Sequence, residues 1–404
     1  MFLGLMERTN VMKIIFTVNK YKPNLDGVQF VTSYLAEGLA KRGHDVSIVT
    51  SIYTRIPSSE EEVIEKVKIY RKEIKTSHTF HIGDKKGYQK FMLELTNDAD
   101  CLINVGSQSP FTDWLFDVLD DIKIPKILYL HSIWDFKYHK ENFDSLKSLT
   151  FKMWANLRWK FYYLFNKKIF LKYDKVIQLH KKDYSYEFFK KKYNIESYII
   201  ENAADEDFYN SYVHKDFVKP FDKYLIYVAN YIDRKNQVLA VDEFFKANID
   251  DKIGLVLIGS SYNDYCKELI KHIDFCRKKY KYTESQKPIK VLYDVDRNLI
   301  SSYVKNASLY VLTSKDEKYP ISIVESMASS IPYISTDVGI VKYLPGGVVS
   351  SWDDIHFWIE ELLNDDTLRH DLGICGKNYA MKHMAIDNKV IQLESLIESL
   401  KGDV

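Results

Sequence analysis

EKYPISIVESMASSIPYISTDVG, residues 317–339, is the stretch from which the rest of the chain can be read. Two carboxylates, Glu317 and Glu325, stand eight positions apart. Between them runs an apolar segment with Pro320 at its start and the small hydroxyl residues Ser322 and Ser326. The preceding Ser308 to Ser314 (SLYVLTS) is a short apolar run with polar ends, the pattern of a strand covered on both faces. Beyond MASSIP come Tyr333-Ile334-Ser335 and Asp337-Val338-Gly339, a second strand and its loop. The order is strand, loop, helix, strand, loop. Glu317 then sits in a loop at the carboxyl end of a strand. The helix opening near Pro320 offers unsatisfied backbone N–H groups, around Ser322 and Ile323, and a positive dipole end that suits a phosphate. Glu325, roughly two turns further on, is placed to reach a ribose hydroxyl pair. A bare pair of glutamates would otherwise be two solvated helix-face carboxylates.

The 404 residues allow two domains with sizeable cores. A net charge of +1 gives no reason to expect nucleic acid as a partner. Hydrophobic residues make up 46%, ordinary for a globular protein, and no charge-free run approaches a spanning length. Residues 1–11 are too short and polar for a secretory signal, and Met12-Lys13 leads straight into a strand, which makes Met12 a candidate start. The four cysteines, Cys101, Cys266, Cys276 and Cys375, show no C-x-x-C spacing and read as thiols in a reducing, cytoplasmic compartment.

Working outward, residues 13–18 (KIIFTV) form an apolar strand, Val28 to Arg42 a helix, and Asp45 to Thr50 a second strand. This βαβ unit has a right-handed crossover and implies a parallel sheet. Gly27 at the helix start lets backbone approach a ligand, unless it is a plain turn glycine. Residues 53–99 are poorly legible apart from a strand near Val67 to Tyr70; His78 and His81 read as surface loop residues. Asp100 to Val105 is a strand, Phe111 to Leu119 a helix, and Lys126 to Leu130 a strand that delivers His131 to its carboxyl end. Ligands of open α/β sheets lie beyond those ends, which favours a functional His131 over a structural one. Lys147 to Tyr173 holds many basic and aromatic residues and no acidic one. Lys152, Lys160 and Lys167 fall near one helical face, with Trp154, Leu157, Phe161 and Leu164 on another. Such a segment either lies on an anionic bilayer as a peripheral contact or packs on a core with a basic outer face.

In the second half Tyr224 to Ala229 is a strand, and Arg234-Lys235 follow it just before a helix from Val238 to Phe245. Two cations there suit a diphosphate, whose charge grows as a nucleotide leaves; the bland alternative is a solvated loop pair. Further strands are expected at Gly254 to Gly259 and Lys290 to Tyr293, and helices over 263–281, 352–363, 365–382 and Ile386 to Leu400. Asp294-x-Asp296 has the form of a metal motif, but Asp296 suits the N-cap of a helix from Arg297 to Lys305.

The E-x7-E pair with Pro320, Pro332, Asp337 and Gly339 in order resembles the family 4 retaining glycosyltransferases of the GT-B fold. So do Gly27, with Asp26 where the family has a first glycine, and Arg42-Gly43-His44-Asp45-Val46. Glu201-Asn202-Ala203-Ala204-Asp205 is similar to the family's Pro-Asn-Gly-Val-Asp-like turn. Lys235 matches a family lysine on the donor diphosphate; Asn230 stands where the family has an arginine, and Arg234 is a substitute for that charge. The resemblance implies an α/β protein of two Rossmann-like domains with parallel sheets facing across a cleft. It implies residues 12–205 on the acceptor side, a linker over 206–222, a nucleotide-sugar domain over 223–385, and a helix in 386–404 crossing back to the first domain. It implies transfer of a sugar from a nucleotide-sugar donor to a glycan or lipid-linked acceptor, with retention, no metal and no cofactor. Glu317 and His131 would serve the sugar, and Glu325, Lys235, Arg234, Asn230, Gly27, Ser322 and Ile323 would bind the donor. Surface polysaccharide, lipopolysaccharide or glycolipid synthesis is the expected setting. The departures at Asn230 and Ala203 leave open a non-catalytic subunit that stabilises a partner enzyme; a GT-B epimerase is the other alternative.

Overall fold

The computed structural model describes residues 11–23, 27–54, 58–77, 80–138 and 145–402. Asp26, His78 and residues 1–10 lie outside them. In chain order the strands are β1 (Lys13–Thr17), β2 (Asp45–Ser51), β3 (Glu61–Ile64), β4 (Val67–Lys72), β5 (Lys75–Ser77), β6 (Phe80–Ile82), β7 (Cys101–Val105), β8 (Lys126–Leu130), β9 (Lys175–Gln178) and β10 (Tyr198–Ile199). They continue as β11 (Tyr224–Val228), β12 (Gly254–Gly259), β13 (Ile289–Tyr293), β14 (Leu309–Leu312), β15 (Tyr333–Thr336) and β16 (Gly347–Ser350). The chain divides into two compact units. Unit 1 takes residues 11–138, 145–201 and 386–402 of those described, and unit 2 takes Asn202–Ala385.

The sheet of unit 1 runs β10-β9-β8-β7-β1-β2-β4-β3, parallel except where β3 turns back against β4. Its central strands are continuous apolar runs and are buried along their length, the mark of a sheet covered on both faces. Strand order reverses between β1 and β7: β2 lies to one side, β8 to the other. The stretch 53–99, which has little periodicity, holds the β3–β4 pair, the separate β5–β6 pair and a helix at Lys85–Thr96 capped by Asp84. The helix expected over Phe111 to Leu119 is shorter, Pro110–Asp113. Beyond it Leu115 N–H donates to Thr112 O at 3.1 Å and Val118 N–H to Leu115 O at 3.0 Å, so the chain continues in i to i−3 turns. The basic aromatic stretch is a helix over Leu146–Phe165 that stops at Asn166, then a short turn of helix at Lys167–Phe170. Ser145 opens it with a reciprocal cap to Ser148. The helix Ile386–Lys401 completes unit 1 by packing on the helix Gly27–Lys41.

The sheet of unit 2 is wholly parallel, in the order β13-β12-β11-β14-β15-β16, and reverses between β11 and β14. Asp296 caps the helix Arg297–Lys305, its side chain accepting from Asn298 N–H at 3.0 Å. The segment 206–222, expected as a linker, packs on unit 2 instead. Tyr209 OH donates to Met384 O at 2.8 Å, His214 N–H donates to Ser302 Oγ at 2.9 Å, and Phe217 meets Tyr303 edge to face. The change of unit falls between Glu201 and Asn202, because Asn202 Nδ2 already donates to Tyr319 O at 2.9 Å and Ala204 bridges to Ala385.

Candidate functional site

Unit 2 gathers charge at the point where its strand order reverses, the place where parallel α/β sheets hold ligands. Lys235 follows β11 in the single turn Asp233–Lys235, which Asn236 ends with φ near +49°. Glu317 follows β14, the neighbouring strand. The Lys235 ammonium pairs with Glu317 Oε1. Ser314 Oγ donates to the same oxygen at 2.8 Å, and Tyr227 OH lies 3.1 Å from Ser314 Oγ. The two charged side chains are 18% and 8% exposed, so each depends on the other for compensation.

The backbone around Glu317 is fixed by Gly339. Its φ is +54°, and a Cβ there would lie 2.3 Å from Lys318 O and 2.7 Å from Glu317 O. Only glycine lets the β15 loop pass this close. Thr336 Oγ1 donates to Ser314 O at 2.7 Å and adds a second tie between the same two loops.

The helix Ile321–Ala328 opens at Pro320. Ile323 N–H, expected as a phosphate donor, already bonds Pro320 O at 3.2 Å. The N–H groups of Ile321 and Ser322 are the ones at this end without a backbone acceptor among the described residues. The Ser322 side chain is hydrogen-bonded to Tyr310, whose hydroxyl also donates to Val228 O at 2.9 Å. Glu325, further along the same helix, is 3% exposed. Arg297 Nη2 donates to its Oε1 at 2.5 Å. Burial pushes the Glu325 carboxyl up from the ordinary range, Arg297 pulls it partly back, and Asp205 adds a smaller push upward. Arg234 is exposed and forms no ion pair with a described residue; its carbonyl accepts from Lys315 N–H at 2.8 Å. Asn230 is half-buried, and its carbonyl accepts from Gln237 Nε2 at 3.0 Å. The structure thus joins Lys235 to Glu317 and leaves the Arg234 charge outside that cluster.

Two participants escaped the sequence. Arg297 reads only as the first residue after a capping aspartate, and its partner is 28 positions away. The clue was Glu325 itself: a carboxylate on an apolar helix face needs a cation. Ser314 was visible only as the end of a strand.

Unit 1 builds a different surface at its own reversal point. Gly27 is exposed and opens the helix Gly27–Lys41 after β1. His131 follows β8 and stacks on Tyr129 at 4.9 Å between centroids. Its Nε2 is buried with no hydrogen-bond partner among the described residues. Burial lowers its pKa to about 4, so the ring is neutral at ordinary pH. Beside it, after β7, the loop Gly106-Ser107-Gln108-Ser109 is held by its backbone. Gln108 N–H donates to Asp113 Oδ1 and to Tyr162 OH, both at 3.1 Å, and Tyr162 OH donates to Asp113 Oδ1 at 2.6 Å. His81, expected in a surface loop, is on β6 and meets Asp113 Oδ2 at 3.2 Å. Ser107 Oγ lies 3.3 Å from Tyr163 OH, but Gln108 Nε2 and Ser109 Oγ of the same loop are also buried without a partner among the described residues. A buried unsatisfied polar group costs about 1–3 kcal/mol. Three such atoms follow two adjacent strands, and each keeps a hydrogen-bonding capacity that no described residue uses.

Comparison with known proteins agrees with this architecture. Residues 25–179 match the family model Glycosyltransferase Family 4, and residues 214–379 match Glycosyl transferases group 1. The chain is 30% identical over 132 residues to a protein of Thermosipho melanesiensis named "Probable sucrose-phosphate synthase", a match spanning 31% of this chain and 30% of that one. Among solved structures it is similar to sucrose-phosphate synthase from Thermosynechococcus elongatus, with a TM-score of 0.73 at 15% identity over 97% of this chain and 100% of the other. It is also similar to Anabaena HepE in complex with UDP and glucose, with a TM-score of 0.67 at 15% identity over 96% of this chain and 100% of the other. With two glycosyltransferase models matching its two halves in order, on two parallel α/β units, the chain belongs to the glycosyltransferases of the GT-B type.

Proposed function

We propose that this protein transfers a sugar from a UDP-sugar to a hydroxyl-bearing acceptor with retention of configuration, and that unit 2 binds the donor. The observation that carries this reading is the Lys235–Glu317–Ser314 cluster at the strand reversal of unit 2, beside the start of the helix Ile321–Ala328. Lys235 compensates the diphosphate as the nucleotide leaves, assisted by the N–H groups of Ile321 and Ser322. On that displacement Glu317 is released from its lysine and accepts hydrogen bonds from the sugar hydroxyls. Glu325, oriented by Arg297, accepts from the ribose. Glu317 is held by Lys235 and Ser314 as a hydrogen-bonding group rather than set out as a free nucleophile, which favours a front-face displacement in which the departing phosphate takes the acceptor proton. The neutral polar edge of unit 1, with His131, Gln108 and Ser109, suits an uncharged hydroxylated acceptor. The UDP-bound HepE relative supports uridine as the base.

Thermal stability with UDP, GDP and ADP tests the donor. A ligand bound only by the folded state adds about 2.7 kcal/mol at a hundredfold excess over its dissociation constant. UDP should raise Tm in the wild type and fail to do so in Glu325→Ala. The absence of a shift with all three nucleotides would overturn the reading in favour of a non-catalytic subunit.

One observation favours a lipid-linked acceptor in surface polysaccharide or glycolipid synthesis. Along Leu146–Phe165, Trp154, Leu157, Phe161 and Leu164 are 52%, 55%, 47% and 64% exposed, and there is no acidic residue. Aromatic rings and lysines in this arrangement suit an anionic membrane surface. Among the described residues no helix is long and apolar enough to cross a membrane. Co-sedimentation with anionic vesicles, lost in Trp154→Glu/Leu157→Glu, checks it; equal sedimentation of both proteins would refute it.

A further inference from the structure

The helices Gln237–Lys246 and Asp264–Lys279 pack side by side on unit 2. Across their contact three side chains turn inward to one point. Asp242 Oδ1 lies 2.9 Å from His272 Nε2 and 3.1 Å from Cys276 Sγ, and Sγ lies 3.3 Å from Nε2. His272 and Cys276 are one turn apart on the same helix face. One carboxylate oxygen, one imidazole nitrogen and one sulfur, from two different helices, thus converge within 4.8 Å of one another. Each carries a lone pair that a metal ion can use, and a set of three such atoms around one point is a candidate ligand set.

We infer that Asp242, His272 and Cys276 bind a divalent transition metal ion, with zinc the best fit. The donor set is one oxygen, one imidazole nitrogen and one sulfur, the mixed borderline character that zinc accepts. Zinc bonds of about 2.0–2.3 Å place tetrahedral ligands about 3.3–3.7 Å apart. The observed edges need open by only a few tenths of an ångström. Binding takes the proton from the Cys276 thiol and moves the His272 proton to Nδ1, so one proton leaves for each ion bound. His272 also lines a surface pocket of about 370 Å³ with Tyr265, Glu268 and Phe275, and Asp242 and His272 are both only partly buried, so an ion can reach the cluster from solvent. The site braces the helix that begins straight after Lys235 and Asn236, and it stands apart from the donor chemistry.

Cobalt is the probe. Titrating the purified chain with Co²⁺ should give a thiolate-to-cobalt charge-transfer band that saturates at one ion per chain, with one proton released in weak buffer. Zn²⁺ should abolish the band by displacement and raise Tm. Cys276→Ala should remove the band, and His272→Ala and Asp242→Asn should each weaken binding by more than about tenfold. Cys375→Ser, an exposed thiol elsewhere, should change nothing. Circular dichroism reports whether Cys276→Ala folds; Asp242→Asn, half-buried on the other helix, carries the test if it does not. No charge-transfer band in the wild type, an undiminished Co²⁺ affinity in Asp242→Asn, or a band that depends on Cys375 would overturn the inference.

Discussion

The two units handle polar groups at their strand reversals in opposite ways. In unit 2 the groups are charged and paired: Lys235 with Glu317, Arg297 with Glu325. In unit 1 three neutral groups, His131 Nε2, Gln108 Nε2 and Ser109 Oγ, have no partner among the described residues. Buried charges must be compensated before a ligand arrives, because an isolated one costs several kcal/mol. Neutral donors and acceptors can wait at smaller cost. The contrast is what the proposed division of labour requires, a charged donor on one unit and an uncharged, hydroxylated acceptor on the other.

The largest expected effect breaks the charged side. Glu317→Gln keeps the shape and the bond from Ser314 but removes the charge; kcat should fall by about 10²–10³-fold, measured by steady-state kinetics with UDP-glucose. A loss confined to KM would make Glu317 a mere binding group. Next comes Gly339→Ala, which drives a methyl group into Lys318 O and Glu317 O at a positive φ. It should cost about 2–3 kcal/mol by urea unfolding and lower kcat with it. Unchanged stability would mean that the loop is less fixed than the contact implies.

Arg297→Ala sharpens the comparison through pH. Without the guanidinium, burial and Asp205 act on Glu325 unopposed and its carboxyl rises further. UDP affinity should drop by about tenfold near neutral pH and recover as pH rises, since the ribose needs the carboxylate. A loss independent of pH would leave Arg297 contacting nucleotide directly. The smallest effect tests the neutral side. His131 titrates at about 4 in the folded protein and near 6.5 unfolded. Between those values the unfolded chain holds the extra proton, so stability is full above about pH 6.5 and falls toward pH 4. His131→Asn should lose about 1–3 kcal/mol less than wild type over that window. His180, also lowered by burial, contributes in both proteins and cancels in the difference. Parallel pH profiles would place a partner on the imidazole.

Legibility in the sequence followed the same divide between local and distant causes. The strands were readable because runs such as KIIFT, LYVL and YIST are apolar on both faces. The place of Glu317 and Lys235 at strand ends followed from those runs. Arg297 was not readable as a partner, because its contact depends on packing two helices rather than on spacing. That Ile323 N–H bonds Pro320 O, an i to i−3 contact at the helix start, is likewise a local feature that sequence does not show. In unit 1 the turn Gly106-Ser107-Gln108-Ser109-Pro110 was visible, but burial without partners is a property of the folded state alone.

The return of Ile386–Lys401 to unit 1 sets an order of events during synthesis. Arg42 and His44 are both bonded to Glu394, at 2.6 and 2.8 Å, and a Cβ on Gly38 would lie 2.3 Å from Val390. The first-translated unit therefore holds an uncovered helix face until Glu394 has left the ribosome. The contiguous Asn202–Ala385 has all its partners earlier. The half of the chain made first is the half finished last, and in the interval its open face is where a chaperone has the most to grip.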